Sequence, residues 1–240
     1  MLEPDVIIGI AHGGSVTWQT TSSLLALQRW DLDHDRHVGM VTGAGGPLLD
    51  NNRNALARKL IATPEARWLL LLDTDIVFPP DLLDRLLAKA AVVEREAGEA
   101  YILAGFYRTR RQVRESVTLG ADGQPAPTDV IVSTWCIPAE GEEPLGRNLT
   151  DCEPSPEPIE LTSCGLGCTL IERSVVEELW TRHVDDGAPV FSRERHVMPG
   201  GARVRLGEDV SFCLRARWAG YRVWGCPDIR CGHVKSMVVR

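Results

Sequence analysis

The sequence contains no hydrophobic run long enough to cross a membrane, for which a helix needs about 20 apolar residues. Its densest apolar stretch, residues 68–72, stops at an aspartate. The N-terminus also lacks the basic segment and apolar core of a secretory signal peptide, since residues 1–5 include two acidic side chains. We therefore predict neither a transmembrane helix nor a signal peptide.

Positive charge and a cysteine framework are lacking as well. The 26 Lys and Arg residues are outnumbered by 33 Asp and Glu residues, which gives a net charge of -7. Nucleic acids and anionic membranes both favour a basic surface, so this balance argues against either as the main partner. Seven cysteines, an odd number, without a signal peptide predict reduced thiols in a cytoplasmic protein. The spacing of Cys226, Cys231 and His233 matches no standard zinc motif, and whether any cysteine binds metal stays open.

What the first 105 residues do contain is an alternation of strand and helix patterns. Short apolar runs at residues 6–10, 38–42, 68–72 and 101–104 are typical of buried strands, and helical patterns separate them. Such an alternation predicts an α/β fold with a mostly parallel central sheet flanked by helices. The length of 240 residues fits a single domain of this kind.

The pattern changes after residue 105. Residues 106–160 are rich in proline, glycine and acidic residues, which predicts an irregular insertion over the sheet with hairpin-like pieces at residues 116–119 and 130–135. Residues 185–207 form a second loop rich in glycine and proline, and residues 209–219 have a helical pattern. The two irregular regions are the parts of the sequence whose structure is hardest to predict.

Two carboxylates, Asp73 and Asp75, follow the apolar run at residues 68–72. Ligands of open α/β sheets bind beyond the carboxyl ends of the strands. Two carboxylates placed there repel each other unless a positive group lies between them, so the pair indicates a divalent metal site. Alternate residues of a strand face opposite sides, so a shared metal requires a turn at Thr74 or a bridging water. The simpler alternative is that Asp75 caps a turn and Asp73 is solvated.

Four segments in a fixed order then resemble the GT-A-fold glycosyltransferases, especially the large family 2 group. Each segment alone is a weak signal, but together they span most of the chain in the order and spacing of that family. The segments are Asn-Arg-Asn at 52–54 with the helix and strand leading to Asp-Thr-Asp at 73–75, the glycine-containing strand at 165–173, the Glu-Asp helix at 207–217, and Gly-His at 232–233.

The resemblance implies a single GT-A domain that transfers a sugar from a UDP- or GDP-linked donor to an acceptor hydroxyl, with inversion suggested by the Glu-Asp motif. Asp73, Asp75 and His233 would hold Mn²⁺ or Mg²⁺, and the nitrogen ligand favours Mn²⁺. Asp209 would be the general base, with Glu208 beside it raising its pKa. The residues implied at the nucleotide and sugar are Ala11, His12, Gly13, Arg53, Asn54, Asp73, Thr74, Gly165 and Gly167.

In this scheme residues 1–105 are the nucleotide-binding half and residues 106–240 the acceptor-side half. The insertion at 106–160 and the loop at 185–207 would select the acceptor, which is a saccharide, a lipid, a small metabolite, a protein or a modified nucleic acid. The loop at residues 11–14 lacks the proline and nearby acidic residue of many relatives, and no aspartate follows the second strand to bind uracil. The donor base and the oligomeric state therefore stay open.

Each of these residues also has a plainer alternative. Glu208 and Asp209 favour the positive end of any helix, Arg53 and Asn54 suit an exposed helix face, and His233 suits a packed surface. At the level of the whole chain the alternatives are a sugar nucleotidyltransferase and a non-catalytic sugar-nucleotide-binding protein. A nucleotidyltransferase needs a basic residue in its first glycine-rich loop, and none is present. A dinucleotide-binding oxidoreductase needs Gly-x-Gly-x-x-Gly after its first strand, which this sequence lacks.

Overall fold

The computed structural model describes residues 5–34, 40–97, 101–119, 125–141, 144–184, 189–197, 201 and 203–234. These residues form an α/β fold with five helices and a central seven-stranded sheet. The helices are α1 (Trp18–Asp33), α2 (Leu49–Ile61), α3 (Leu82–Ala97), α4 (Arg173–Val184) and α5 (Glu208–Trp218). The strands are β1 (Val6–His12), β2 (Met40–Gly45), β3 (Trp68–Asp73), β4 (Ile76–Val77), β5 (Tyr101–Phe106), β6 (Arg108–Leu119), β7 (Pro125–Ser133), β8 (Cys136–Ile137), β9 (Arg147–Asn148), β10 (Ile159–Leu161), β11 (Cys168–Glu172), β12 (Arg195–Val197), β13 (Arg203–Arg205), β14 (Arg222–Arg230) and β15 (Gly232–His233).

The central sheet has the order β10-β14-β5-β11-β3-β1-β2 and is mixed, which corrects the expectation of a mostly parallel sheet. The pairs β1–β2, β1–β3 and β5–β14 are parallel, whereas β11 runs antiparallel to both of its neighbours and β10 runs antiparallel to β14. The reversal has a simple cause. The chain enters β11 from a turn at the carboxyl edge of the sheet, so this strand must run in the opposite direction.

Two apolar layers cover the two faces of the sheet. On β3, Leu69 and Leu71 pack into a cluster with residues of α2, α4 and α5, while Leu70 and Leu72 pack into a second cluster with residues of α1 and α3. Side chains alternate between the faces of a strand, so a strand covered on both sides must be apolar throughout. Burying each leucine contributes about 1.5–3 kcal/mol. The strand β3 is therefore a rigid support for Asp73 and the residues after it.

The region 106–160 is more regular than its composition predicted. It contains a long antiparallel hairpin, β6 with β7, followed by the short pair β8 and β9. The register of the hairpin shifts between Val113 and Thr118, which interrupts the alternation that a sequence pattern relies on. The predicted loop at 185–207 likewise includes an antiparallel pair, β12 and β13, within its described part. No helix among the residues that the structure describes has the length and apolar character of a membrane span.

Candidate active site at the carboxyl edge of the sheet

Several strands meet at one edge of the sheet. β1 and β3 are parallel and end there at His12 and Asp73, while β11 begins there because it runs the other way. The amide of Asp73 donates to the carbonyl of Gly167 over 2.9 Å, which joins the end of β3 to the turn before β11. The amide of Thr17 donates to the carbonyl of Thr74 over 2.9 Å and ties the start of α1 to the same edge.

The structure brings Asp75 and His233 together. After β3 the chain turns and forms β4, which pairs antiparallel with β15 so that His233 lies opposite Ile76. The amide of Val234 donates to the Asp75 carbonyl over 2.7 Å. The two side chains meet with His233 Nε2 at 3.1 Å from Asp75 Oδ2. Two of the three predicted metal ligands are therefore adjacent, and a backbone ladder sets their separation.

The orientation of the His233 ring is fixed from its other side. Nδ1 lies 3.0 Å from the carbonyl oxygen of Arg108, and because a carbonyl can only accept, Nδ1 carries the proton. The ring of Tyr107 also meets the imidazole edge-on, with the centroids 5.5 Å apart. Because a carboxylate only accepts, the 3.1 Å contact between Nε2 and Asp75 Oδ2 needs a positive group between the two atoms, which is either a proton on Nε2 or a bound cation.

Asp73 is engaged differently from the prediction. Its Oδ1 accepts a 2.8 Å hydrogen bond from Nη2 of Arg53, whose Nη1 donates over 2.8 Å to Oε1 of Glu208. The Arg53 side chain is only 3% exposed. Burial alone would lower the pKa of Arg53, but the carboxylates of Asp73 and Glu208 outweigh it and raise the pKa. Arg53 is therefore a buried cation that bridges the end of β3 and the start of α5, rather than part of an exposed helix face.

Asp73, Asp75 and His233, all in the part of the chain that the structure describes, do not form the predicted three-ligand metal cluster. Within the described residues, no group of three or more His, Cys, Asp or Glu side chains is arranged to hold a metal ion. The Asp73 carboxylate is paired with Arg53 through Oδ1. The metal ligands that the geometry offers are thus Asp75 and His233. Arg53 holds Asp73 nearby, at the end of β3.

Glu208 and Asp209 open α5, as the sequence predicted, with Gly207 as the N-cap. Glu208 accepts from Arg53 and has a second cation nearby, Nε of Arg193 at 3.4 Å. Oδ1 of Asp209 accepts from the amide of Val210 over 2.8 Å. Burial, and then the neighbouring Glu208, raise the pKa of Asp209. A raised pKa makes this carboxylate a stronger base, which suits proton abstraction at neutral pH.

Tyr107 is a site residue that sequence reasoning missed. It is buried directly after β5, and its hydroxyl accepts a 3.0 Å hydrogen bond from the amide of Gly167. A Cβ placed on Gly165 would come within 2.4 Å of the Tyr107 hydroxyl, and one on Gly167 within 2.8 Å of it and of Asp73 Oδ2. The two glycines are thus required to admit Tyr107. Burial, followed by the charge of Asp73, raises the Tyr107 pKa well above its usual value, so this hydroxyl keeps its proton.

The loop after β1 is held by Asn52. Its amide donates to the carbonyls of His12 over 3.0 Å and Gly46 over 3.1 Å, which joins the loops that follow β1 and β2. Of the residues predicted to contact the nucleotide here, Ala11 is buried in the core and Gly13 is exposed. The His12 ring lies against Gly45, where a Cβ would come within 2.4 Å of it.

Asn54 is engaged away from the carboxylates. Its Nδ2 donates to the carbonyl of Phe191 over 2.7 Å and to that of Asp50 over 2.8 Å, and its Oδ1 accepts from the Phe191 amide over 2.9 Å. These bonds anchor the segment 189–197 to α2. We therefore assign Asn54 to holding that segment and do not place it at the donor.

Comparisons with known proteins concern the fold. No model of a protein family matches the sequence, and no curated protein matches it. Among solved structures, the chain is similar to A197 from STIV, with 15% sequence identity over 96% of this chain and 86% of that chain, at a TM-score of 0.52. It is also similar to GalNAc-T7 in a structure with UDP, GalNAc and Mn²⁺, with 13% identity and a TM-score of 0.45. That match covers 98% of this chain and 44% of GalNAc-T7, so this chain spans less than half of that protein.

Proposed function

We propose that this protein is a GT-A-fold glycosyltransferase that uses a divalent metal to move a sugar from a UDP- or GDP-linked donor to an acceptor hydroxyl. The observation that carries the proposal is the approach of His233 Nε2 to within 3.1 Å of Asp75 Oδ2 beyond the central strand. These residues are 158 positions apart in the chain, and the backbone pairing of β4 with β15 brings them together.

As metal ligands, Asp75 and His233 fit Mn²⁺ or Mg²⁺. A carboxylate oxygen and an imidazole nitrogen are accepted ligands, and the carbonyl on His233 Nδ1 is the usual outer partner of a metal-bound histidine. When bound, the metal ion would neutralise the negative charge that grows on the departing diphosphate. Asp73 lies two residues before Asp75, at the end of β3, with Oδ1 bound to Arg53. We assign it to the donor ribose or to a water between it and the metal.

Asp209 supplies the base in this scheme. The acceptor hydroxyl gives its proton to the Asp209 carboxylate while its oxygen bonds to the sugar carbon, and the bond from that carbon to the diphosphate oxygen breaks. A displacement of this kind inverts the configuration at the sugar carbon. General-base catalysis contributes roughly 10²–10⁴ in rate, and the raised pKa of Asp209, caused first by burial and then by Glu208, favours it.

Arg53 connects the two halves of the proposed site. Its guanidinium holds Asp73 on the donor side and Glu208, next to the base, on the acceptor side, each over 2.8 Å. A buried guanidinium with two charged partners has little freedom to move, since losing either partner leaves a costly unpaired charge. The separation between donor and base is thereby set by a single side chain.

Thermal unfolding with nucleoside diphosphates tests the proposal. Wild-type protein with UDP, GDP, ADP or CDP is compared with and without Mn²⁺. A ligand at 100 times its Kd adds about 2.7 kcal/mol, or about 5–11 °C for a chain of this size. We expect UDP or GDP to give such a shift only with Mn²⁺, and Asp75→Ala to remove it.

The matched control for this experiment is Asp33→Ala, which removes a half-exposed carboxylate paired with Arg29 on α1. This variant should keep the full metal-dependent shift. Equal shifts with and without Mn²⁺, or a shift that survives in Asp75→Ala, would argue against the proposed function.

A further inference from the structure

Tyr107 joins three parts of the site that are distant in the sequence. Its hydroxyl accepts from the amide of Gly167 over 3.0 Å, and its ring packs edge-on against His233 with 5.5 Å between centroids. Its carbonyl accepts from the amide of Thr134 at the end of β7 over 3.4 Å. The side chain itself is buried, 3% exposed, so these contacts have little room to rearrange.

The residue after Tyr107 acts on the same imidazole. The Arg108 carbonyl lies 3.0 Å from Nδ1 of His233, so two consecutive residues hold this ring, one by an edge and one by a hydrogen bond. Edge-to-face ring pairs at this distance have a preferred geometry. The contact therefore restricts the rotation of the imidazole about its Cβ–Cγ bond.

On its other side Tyr107 sets the position of Asp73. The Gly167 amide binds the Tyr107 hydroxyl, and the Gly167 carbonyl accepts from the Asp73 amide over 2.9 Å. Gly165 and Gly167 have no side chain at the points where a Cβ would collide with that hydroxyl. One phenol thus fixes the turn before β11 and, through it, the end of β3.

We propose that Tyr107 is a positioning residue that orients His233 toward Asp75 with its ring and fixes the Gly165–Gly167 turn with its hydroxyl. The proposal rests on the proposed function for its catalytic consequence, since orientation matters there for holding the metal. Its structural part is independent of that function. The ring and hydroxyl have separate tasks, which two substitutions can separate.

The first measurement needs neither metal nor nucleotide. In protein labelled with ¹⁵N at its six histidines, the His233 ring signals are assigned by their loss in His233→Ala. Tyr107→Leu should move these signals toward the tautomer mixture of a free imidazole, whereas Tyr107→Phe should leave them near wild type. Tyr101 provides the controls, because it is also a buried tyrosine, at the start of β5, and its hydroxyl donates to the Ala90 carbonyl over 2.6 Å. Tyr101→Leu should not move the His233 signals.

The hydroxyl is tested by hydrogen exchange at the Gly167 amide. Tyr107→Phe removes its acceptor, so this amide should exchange about 2–10-fold faster, which is the effect of losing one hydrogen bond. Tyr101→Phe should leave the exchange rate unchanged. If Tyr107→Leu does not fold, this second measurement still tests whether the Tyr107 hydroxyl fixes the turn at Gly167. Unchanged Gly167 exchange in Tyr107→Phe, or His233 signals that move no more in Tyr107→Leu than in Tyr101→Leu, would overturn the proposal.

The functional consequence is read from Mn²⁺ affinity in the presence of UDP or GDP. Loss of an outer-shell partner costs about 10–100-fold in metal affinity, and we expect a loss in this range for Tyr107→Leu, rescued by Tyr107→Phe. Wild-type protein that binds no Mn²⁺ would contradict the proposed function, while the His233 and Gly167 signals would still decide the role of Tyr107. An unchanged Mn²⁺ affinity in Tyr107→Leu, with wild type binding normally, would contradict the positioning role.

Discussion

The donor side and the acceptor side of the proposed active site are held in different ways. On the donor side, main-chain hydrogen bonds place Asp75 and His233, through the pairing of β4 with β15 and the bond from Val234 to Asp75. On the acceptor side, buried polar side chains hold the residues in place. Arg53 holds Glu208, and Asn54 holds the segment 189–197 through Phe191. The comparison teaches that single side-chain substitutions should disturb the segment 189–197 far more than the backbone pairing that brings Asp75 and His233 together.

The segment 189–197 has a second buried anchor. Nη1 of Arg215 on α5 donates to Ser192 Oγ over 2.9 Å and to the Pro189 carbonyl over 3.2 Å, and it also contacts Glu194. Three side chains from two helices therefore hold the acceptor side. Because each is buried, each replacement leaves unpaired groups behind, and the effects should be large.

The largest effect is expected from Asp209→Asn. Asparagine keeps the size and an acceptor for the Val210 amide but cannot take a proton, so kcat should fall by about 10²–10⁴-fold with the fold intact. Transfer kinetics with the identified donor measure this, and Asp33→Asn on the surface of α1 is the control. A kcat within threefold of wild type would contradict the role of base.

Arg53→Met should have the next largest effect. It leaves the carboxylates of Asp73 and Glu208 without their shared cation, and breaking a buried ion pair in this way costs about 3–5 kcal/mol. Urea unfolding measures the loss. The control is Arg29→Met, which removes an exposed partner of Asp33 on α1 and should leave the midpoint unchanged. Equal stability of the two variants would show that Arg53 does not bridge the halves.

Asn54→Ala sharpens the comparison between the sides. It removes both hydrogen bonds to the Phe191 backbone and should cost about 1–3 kcal/mol, measured by urea unfolding. The metal-dependent thermal shift with UDP or GDP should persist, because the donor side is held by other bonds. Asn51→Ala, exposed on the same helix, is the control. Loss of nucleotide binding in Asn54→Ala alone would mean that the two sides are not held separately.

The smallest effect concerns pH. Burial, and then Glu208, raise the pKa of Asp209, so the folded protein binds this proton more tightly than the unfolded chain. Above the folded pKa, the ionised carboxylate therefore lowers the free energy of unfolding. Below the unfolded pKa of about 3.9 this destabilisation is absent. Asp209→Asn should therefore be slightly more stable than wild type at pH 7, and the gain should vanish near pH 3.5. Urea midpoints at both pH values measure it, and a loss of stability at pH 7 would contradict the pKa direction.

Much of the fold followed from local patterns, and what did not was non-local. The apolar run of β3 and the Asp-Thr-Asp after it indicated a central strand with carboxylates at its end, because burial on both faces demands that pattern. The direction of β11 depends on the turn at residues 165–167, which the Asp73 amide joins to the end of β3. The pattern of apolar residues within the five residues of β11 does not determine the direction of the strand. The mixed sheet could therefore not be predicted from the sequence.

The site shows the same division. From the order of the four segments we predicted that Asp75, His233 and the Glu-Asp helix belong to one site. That order gave no indication that Arg53 would pair with Asp73. That pairing depends on a helix and a strand meeting at their ends, 20 positions apart. Tyr107 was missed because a single aromatic residue after a strand is an ordinary core pattern. The available signal was the pair Gly165 and Gly167, whose missing side chains make room for it.

The most direct test of the metal-assisted site is the coupling between Mn²⁺ and nucleotide binding. Calorimetric titration of UDP and GDP is performed with and without Mn²⁺ on wild type, His233→Ala and the exposed control His34→Ala. We expect Mn²⁺ to tighten the binding of one nucleotide at least about 10-fold, a coupling of about 1.4 kcal/mol, in wild type and His34→Ala. His233→Ala should show no such coupling. The same coupling in His233→Ala, or none in wild type, would contradict the account.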